Sequence, residues 1–527
     1  MRAMRRCHDT HRMNPSATSR SGWRRRAGCV LLATALAMAG TPLRAQTTSA
    51  LPALGDAATE ALDINDEARL GQEIMRSIRG DPAYLDDPVL QAYLSSIFDP
   101  LVAMARRSGQ IGPDIDKPFA WISFLVRDPS INAFAMPGGL IGVHLGLIAM
   151  TEHPDELASV LAHELSHVTQ RHIARSLGAS ERTGMVGIAA MLAGLLLAMR
   201  GGSPDLAQAA IVGGQAAIVQ GQLNYSRDRE READRIGYGL LVGTGHAPGS
   251  MAEMFDKLAA ANRLNDNGSF PYLRSHPLTT ERLAEARARV PDGAAPEGPQ
   301  PVMHALMRVR ATVLMDPGST ALQRALQAPG DDLPALYRRA LAAAQLRDAA
   351  AADAVLPALL AAADRPDQLP ALRRVLRQLG AEVNLALRRP LAAAALIDAA
   401  DSSRPTLLLR AEVARSVPGA TQAPARGALE AAVQTLQAWV IDHAEDTGAW
   451  WALSQGAQAL GQPVRARRAE AEARWASGDL NAALQTLQTA RRLPPGDEAI
   501  ELHVVEARWR VFEAERRRRM EEARRGR

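Results

Sequence analysis

The stretch HELSH places His163 and His167 four residues apart. On a helix both imidazoles leave the same face and can bind one zinc ion. Glu164 stands beside them, where a general base takes a proton from a water that the metal acidifies and later returns it to a leaving amine. Catalytic zinc usually takes three protein ligands and keeps its fourth position for water, so a third ligand is expected from elsewhere in the chain. Glu230 is the best candidate. In YSRDREREAD, Glu230 and Asp234 lie four apart and share one helical face. Asp234 is then placed to orient a ligand histidine or to assist proton transfer. Four arginines from Arg227 to Arg235 alternate with these acids, so without HELSH upstream a solvated charged helix would be the better reading.

These residues need elements to hold them. Pro154, Asp155 and Glu156 suit the first turn of a helix, and Gly178 suits its stop. Leu157, Leu161, Leu165 and Val168 give that helix an inward apolar stripe. His172 falls about 140° around it from His167, which predicts a place behind the site or on the surface, not a ligand. His144 and His153 read as structural. Upstream, residues 66–106 read as helical, 119–126 as a strand, 132–139 (NAFAMPGG) as a loop, and 140–145 as a second strand. Either strand would offer an edge for an extended substrate segment to pair with, which favours unfolded chains. Residues 185–199 and 207–219 are apolar runs, each shorter than a bilayer span, and read as two packed helices or a hairpin touching a membrane surface.

The combination of HELSHVTQRH, NYSRDREREADRIG and NAFAMPGG resembles the zinc metallopeptidase family that contains HtpX and the CAAX prenyl proteases, and within it the secreted bacterial BepA-like members. The likeness covers about residues 66–290. It implies His163, His167 and Glu230 as ligands of one zinc ion, Glu164 as the catalytic carboxylate, and Asp234 in a supporting or proton-donating role. Ser275-His276-Pro277-Leu278 with Arg282 resembles the family's HP motif. His276 there would enter the open zinc position or donate a hydrogen bond to the tetrahedral intermediate, while a capping turn before Thr279 accounts for it equally well. The fold implied is α+β: a mostly helical zincin-like metallopeptidase domain with a small sheet, then an all-α tetratricopeptide-like domain.

The composition agrees with a multidomain globular chain: 527 residues, 47% apolar, 22% charged. From about residue 301 it turns to alanine, leucine and arginine, with helix pairs suggested at 334–364 and 450–495. Arg24 to Arg26, an apolar stretch and Leu43-Arg44-Ala45 read as a secretory signal. Both cysteines, Cys7 and Cys29, fall within it, so the mature chain would carry no thiol. The expected division is a signal at 1–45, a linker at 46–66, a peptidase domain at 67–295, a helical domain at 301–510 and a basic tail at 511–527.

Three functions follow. The first is a periplasmic zinc endopeptidase acting on misfolded or misassembled envelope and outer-membrane proteins, with the helical domain recruiting clients. Its partners would be those unfolded chains and, through the helical repeats, the outer-membrane assembly machinery, with peripheral membrane contact and no nucleic acid. The second is a chaperone or assembly scaffold with latent peptidase activity. The third is an integral inner-membrane quality-control peptidase.

Overall fold

The computed structural model describes residues 62–178, 227–264, 271–292, 301–420, 422–423, 425–494 and 496–525. The signal reading and the apolar runs at 185–219 lie outside them. Among the described residues no helix is long and apolar enough to cross a membrane.

A small sheet is built around two helices. Helix α1 (Ile64–Arg79) starts at Asp63, whose carboxylate accepts from the amides of Asn65 and Asp66. The two-residue strand β1 (Tyr84–Leu85) then separates it from α2 (Pro88–Arg107), so the single helical stretch expected over 66–106 is two helices. After the short α3 (Pro113–Asp116) come β2 (Ile122–Val126), β3 (Ala133–Met136) and β4 (Leu140–His144). The strands lie in the order β1-β2-β4-β3, with β2 and β4 parallel and both outer pairs antiparallel. Alternation along the strands sorts the side chains. Phe124, Phe134, Met136 and Leu140 face Leu70, Ile74 and Ile78 of α1, while Leu125, Ala133, Ala135, Ile141 and Val143 face the main core.

Two expectations change here. NAFAMPGG is only partly a loop: Ala133 to Met136 form β3, and the turn is confined to Pro137-Gly138-Gly139, where Gly138 and Gly139 take φ of 78° and 87°. Among the described residues the sheet edge near the histidines also belongs to β3, because β2 and β4 are both interior.

Helix α4 (Leu145–Met150) leads to α5 (Pro154–Thr169), whose residues from Glu156 to Thr169 are buried on every face. His153 caps α5 by accepting from the Asp155 amide, and the Glu156 carboxylate reaches back to the amides of Glu152 and His153. The helix does not run to Gly178. It breaks at Gln170 and Arg171, and α6 (His172–Gly178) begins in a new direction. Arg171 holds the break at φ 50°, with its guanidinium on Glu67 at 2.9 Å and on the Leu62 carbonyl at 2.7 Å.

Helices α7 (Arg227–Gly243), α8 (Ser250–Leu264), α9 (Pro271–Ser275) and α10 (Thr280–Ala288) complete this part. Beyond residue 301 every described regular element is helical. Helices α11 (Val302–Met315), α12 (Ser319–Gln327), α13 (Leu333–Leu346), α14 (Ala349–Ala363) and α15 (Pro370–Ala386) continue the main core, which joins described residues from Ala68 to Val383. Arg310 of α11 is the polar tie: its guanidinium grips Asp87 with two bonds of 2.7 Å and also meets Glu382 and the Tyr337 hydroxyl. Asp87 in turn caps α2.

Helices α16 (Pro390–Ala394), α17 (Arg404–Ser416), α18 (Ala425–Asp442), α19 (Thr447–Ala459), α20 (Pro463–Ala476) and α21 (Leu480–Ala490) carry further small cores. Helix α22 (Ala499–Arg525) takes in the expected basic tail. This arm returns to α1, where Arg76 lies over the Trp475 ring at 4.5 Å and Arg79 pairs with Glu445 at 2.6 Å.

Candidate metal centre

The centre sits where α5, α7 and the residues after α9 meet. Helices α5 and α7 pack closely because residue 237 is glycine: a methyl there would lie 3.1 Å from the Ala162 backbone. That approach sets Glu230 and Asp234, each 1% exposed, against the histidine face of α5.

His163, His167, Glu230 and His276 each aim one donor atom at a common point, all within 4.8 Å of one another. His163 Nε2 lies 3.0 Å from His167 Nε2, and the Glu230 oxygens lie 3.4 and 3.5 Å from those two nitrogens. His276 Nδ1 lies 3.4 Å from His163 Nε2 and 3.1 Å from Glu230 Oε1. Bonds of about 2.0 to 2.1 Å in a tetrahedron separate the ligands by roughly 3.3 Å, so donor atoms at these spacings could hold one metal ion. Two imidazoles, a carboxylate and a third imidazole also suit zinc chemically.

The back of each ligand is held. His163 Nδ1 lies 2.9 Å from Asp234 Oδ1, and the Asp234 carboxylate accepts two bonds from Arg282, at 2.7 and 2.8 Å. Arg282 also reaches Glu230 Oε2 at 2.8 Å. His167 Nδ1 lies 2.8 Å from His172 Nδ1, and His172 Nε2 lies 3.0 Å from Glu232 Oε2. These outer partners fix imidazole orientation and tautomer. His172 takes the place behind the site that its spacing allowed, while its partner Glu232 was not singled out by any local pattern.

Glu164 lies on the same face. Its Oε2 accepts from the Ala135 amide of β3 at 3.0 Å, and its Oε1 is 3.4 Å from His276 Nε2. Burial pushes the Glu164 carboxyl up from its ordinary value. Against the opposing effect of burial, His276 and His163 hold the Glu230 carboxyl well below its own. Burial also opposes charge on His163, but Asp234 and Glu230 outweigh it and raise that imidazole to about 9. Burial outweighs Glu232 at His172 and lowers it to about 4, keeping it neutral. His144 bonds Ser130 at 2.8 Å and His153 caps α5, so neither joins the centre.

Residues 89–290 match peptidase family M48. The chain is 36% identical over 248 residues to the beta-barrel assembly-enhancing protease of Escherichia coli K12, covering 47% of this chain and 48% of that one. It is 36% identical over 239 residues to the Yersinia pestis protein of the same name, covering 45% and 47%. Over 174 residues it is 31% identical to the metalloprotease LoiP of Escherichia coli, covering 33% and 64%. The match spans about half the length of the two assembly-enhancing proteases.

Proposed function

We propose that this chain, whose residues 89–290 match peptidase family M48, is a periplasmic zinc endopeptidase that hydrolyses misassembled outer-membrane proteins. The observation that carries the reading is the convergence of His163 Nε2, His167 Nε2 and the Glu230 carboxylate, with Glu164 on the same face. The names of its relatives support the substrate class, and the signal at 1–45 followed by a linker at 46–66 supports the compartment.

His163, His167 and Glu230 hold the ion in this reading, and Asp234, anchored by Arg282, holds His163 in register. The bound ion supplies positive charge that acidifies water and polarises the scissile carbonyl. Glu164, with its carboxyl raised by burial, takes a proton from the attacking water and returns it to the leaving nitrogen. The outer edge of β3 pairs with an extended substrate, placing its carbonyl beside Glu164. His276 Nδ1, 3.4 Å from His163 Nε2 and 3.1 Å from Glu230 Oε1, would be a further donor to a bound ion and would have to move aside to admit water and substrate. This closed arrangement also favours a second reading, an assembly scaffold whose peptidase activity stays latent. The peptidase domain spans 67–295, and the helices of 301–510 form a tetratricopeptide-like client-recruiting domain ahead of the basic end at 511–527.

Purified protein should cleave an unfolded outer-membrane protein, and lose that activity on chelation and in Glu164→Gln. An unchanged rate in Glu164→Gln would refute the mechanism. Metal analysis of Glu230→Ala checks the third ligand, since full metal retention would remove it from the set.

A further inference from the structure

The Tyr272 side chain is fully buried against the centre, with its ring 4.8 Å from that of His276 and 6.5 Å from that of His163. Its hydroxyl has no hydrogen-bond partner. A buried hydroxyl without a partner destabilises the resting protein, and phenylalanine would fill the same space without that cost. Such a group calls for a partner that arrives during function. A tyrosine hydroxyl keeps its proton at neutral pH, so Tyr272 stands beside His276 and His163 as a neutral donor.

We infer that the Tyr272 hydroxyl donates a hydrogen bond to the substrate carbonyl oxygen as negative charge builds there during peptide hydrolysis; this rests on the peptidase reading above. As the water oxygen bonds to the carbonyl carbon, the π pair moves onto the carbonyl oxygen. The phenol stays protonated and stabilises that charge. Glu164 holds the proton from the water until the C–N bond breaks, and the amine nitrogen takes it. Tyr272 is thus a catalytic residue that contributes most in the transition state.

Tyr272→Phe distinguishes this from a structural hydroxyl. The expected result is a kcat about a hundredfold lower with KM little changed, the loss typical of one oxyanion donor. Affinity for a phosphinic peptide, whose anionic oxygen mimics the developing charge, should fall by a similar factor. Zinc content should be unchanged and the thermal midpoint equal or higher. A kcat within about threefold of wild type, unchanged phosphinic affinity or a lowered midpoint would overturn the inference. Wild type without chelator-sensitive cleavage would overturn the peptidase reading and this inference with it. Wild type that cleaves, with Glu164→Gln silent and Tyr272→Phe fully active, would overturn this inference alone.

Discussion

Replacing His172 with alanine is expected to weaken zinc binding about tenfold to a hundredfold at neutral pH without unfolding the chain. With the ion on His167 Nε2, His167 Nδ1 carries the ring proton and donates it to His172 Nδ1 at 2.8 Å. His172 accepts only while neutral, and its value of about 4 keeps it so. Its own proton then sits on Nε2 and is donated to Glu232 Oε2 at 3.0 Å. Every proton in this relay has one direction. Alanine removes the acceptor behind His167 and the link to Glu232, and the stated loss in affinity corresponds to roughly 1.4 to 2.7 kcal/mol. Because the Glu232 side chain is 32% exposed, water partly replaces it, and Glu232→Ala should cost less than His172→Ala. The assay is competition for zinc against a chromophoric chelator, with circular dichroism as the check on folding. Zinc affinity in His172→Ala within about twofold of wild type would refute the relay.

Two further outcomes concern polar contacts that tie residues 87–151 to the helices beyond residue 301. Arg310→Met strands the buried carboxylate of Asp87 and the half-buried one of Glu382, which should cost about 3 to 5 kcal/mol in denaturant unfolding. Adding Asp87→Asn and Glu382→Gln should restore much of this, and a triple variant no more stable than the single one would contradict the argument. His304 bonds the Tyr93 hydroxyl at 2.5 Å and the Thr151 carbonyl at 3.1 Å, and burial lowers its imidazole to about 4. The unfolded chain therefore takes up the proton first as pH falls. Stability should drop from about pH 6.5 downward and level off below about pH 4, by at most ~3 kcal/mol, with no contribution above neutrality. Urea unfolding of wild type beside His304→Gln across that range checks it: equal pH slopes would exclude His304 as the cause.

Spacing alone brought His163, His167, Glu230 and Asp234 onto two helical faces, because an interval of four needs no tertiary knowledge. What it left out depends on residues far apart in the chain. Arg171 bends the backbone through bonds to Glu67 and Leu62, about 100 residues away, and no glycine or proline at 170–171 announces the break. Strand β3 was hidden because the strong turn residues Pro137, Gly138 and Gly139 follow it directly. The distance from His276 to the centre is set by the packing of α9, which no local pattern encodes. The main core joining described residues from Ala68 to Val383 escaped for the same reason, since composition shifts sharply at about residue 301 while packing does not.

Helix α1 carries the turn that ends β3 on one side and the returning arm on the other. A methyl at Gly71 would strike the Pro137 carbonyl oxygen at 2.4 Å, and one at Gly80 would strike that of Ser477 at 2.8 Å. The second contact joins residues about 400 positions apart, among the most distant pairings a chain of this size can make. During synthesis α1 is made early, but it meets Ser477 only late and gains its last neighbour only when Arg518, which pairs with Glu73 at 3.4 Å, has emerged. The turn beside the edge strand is thus buttressed late, and a nascent chain still short of that point has not yet assembled the support beneath β3.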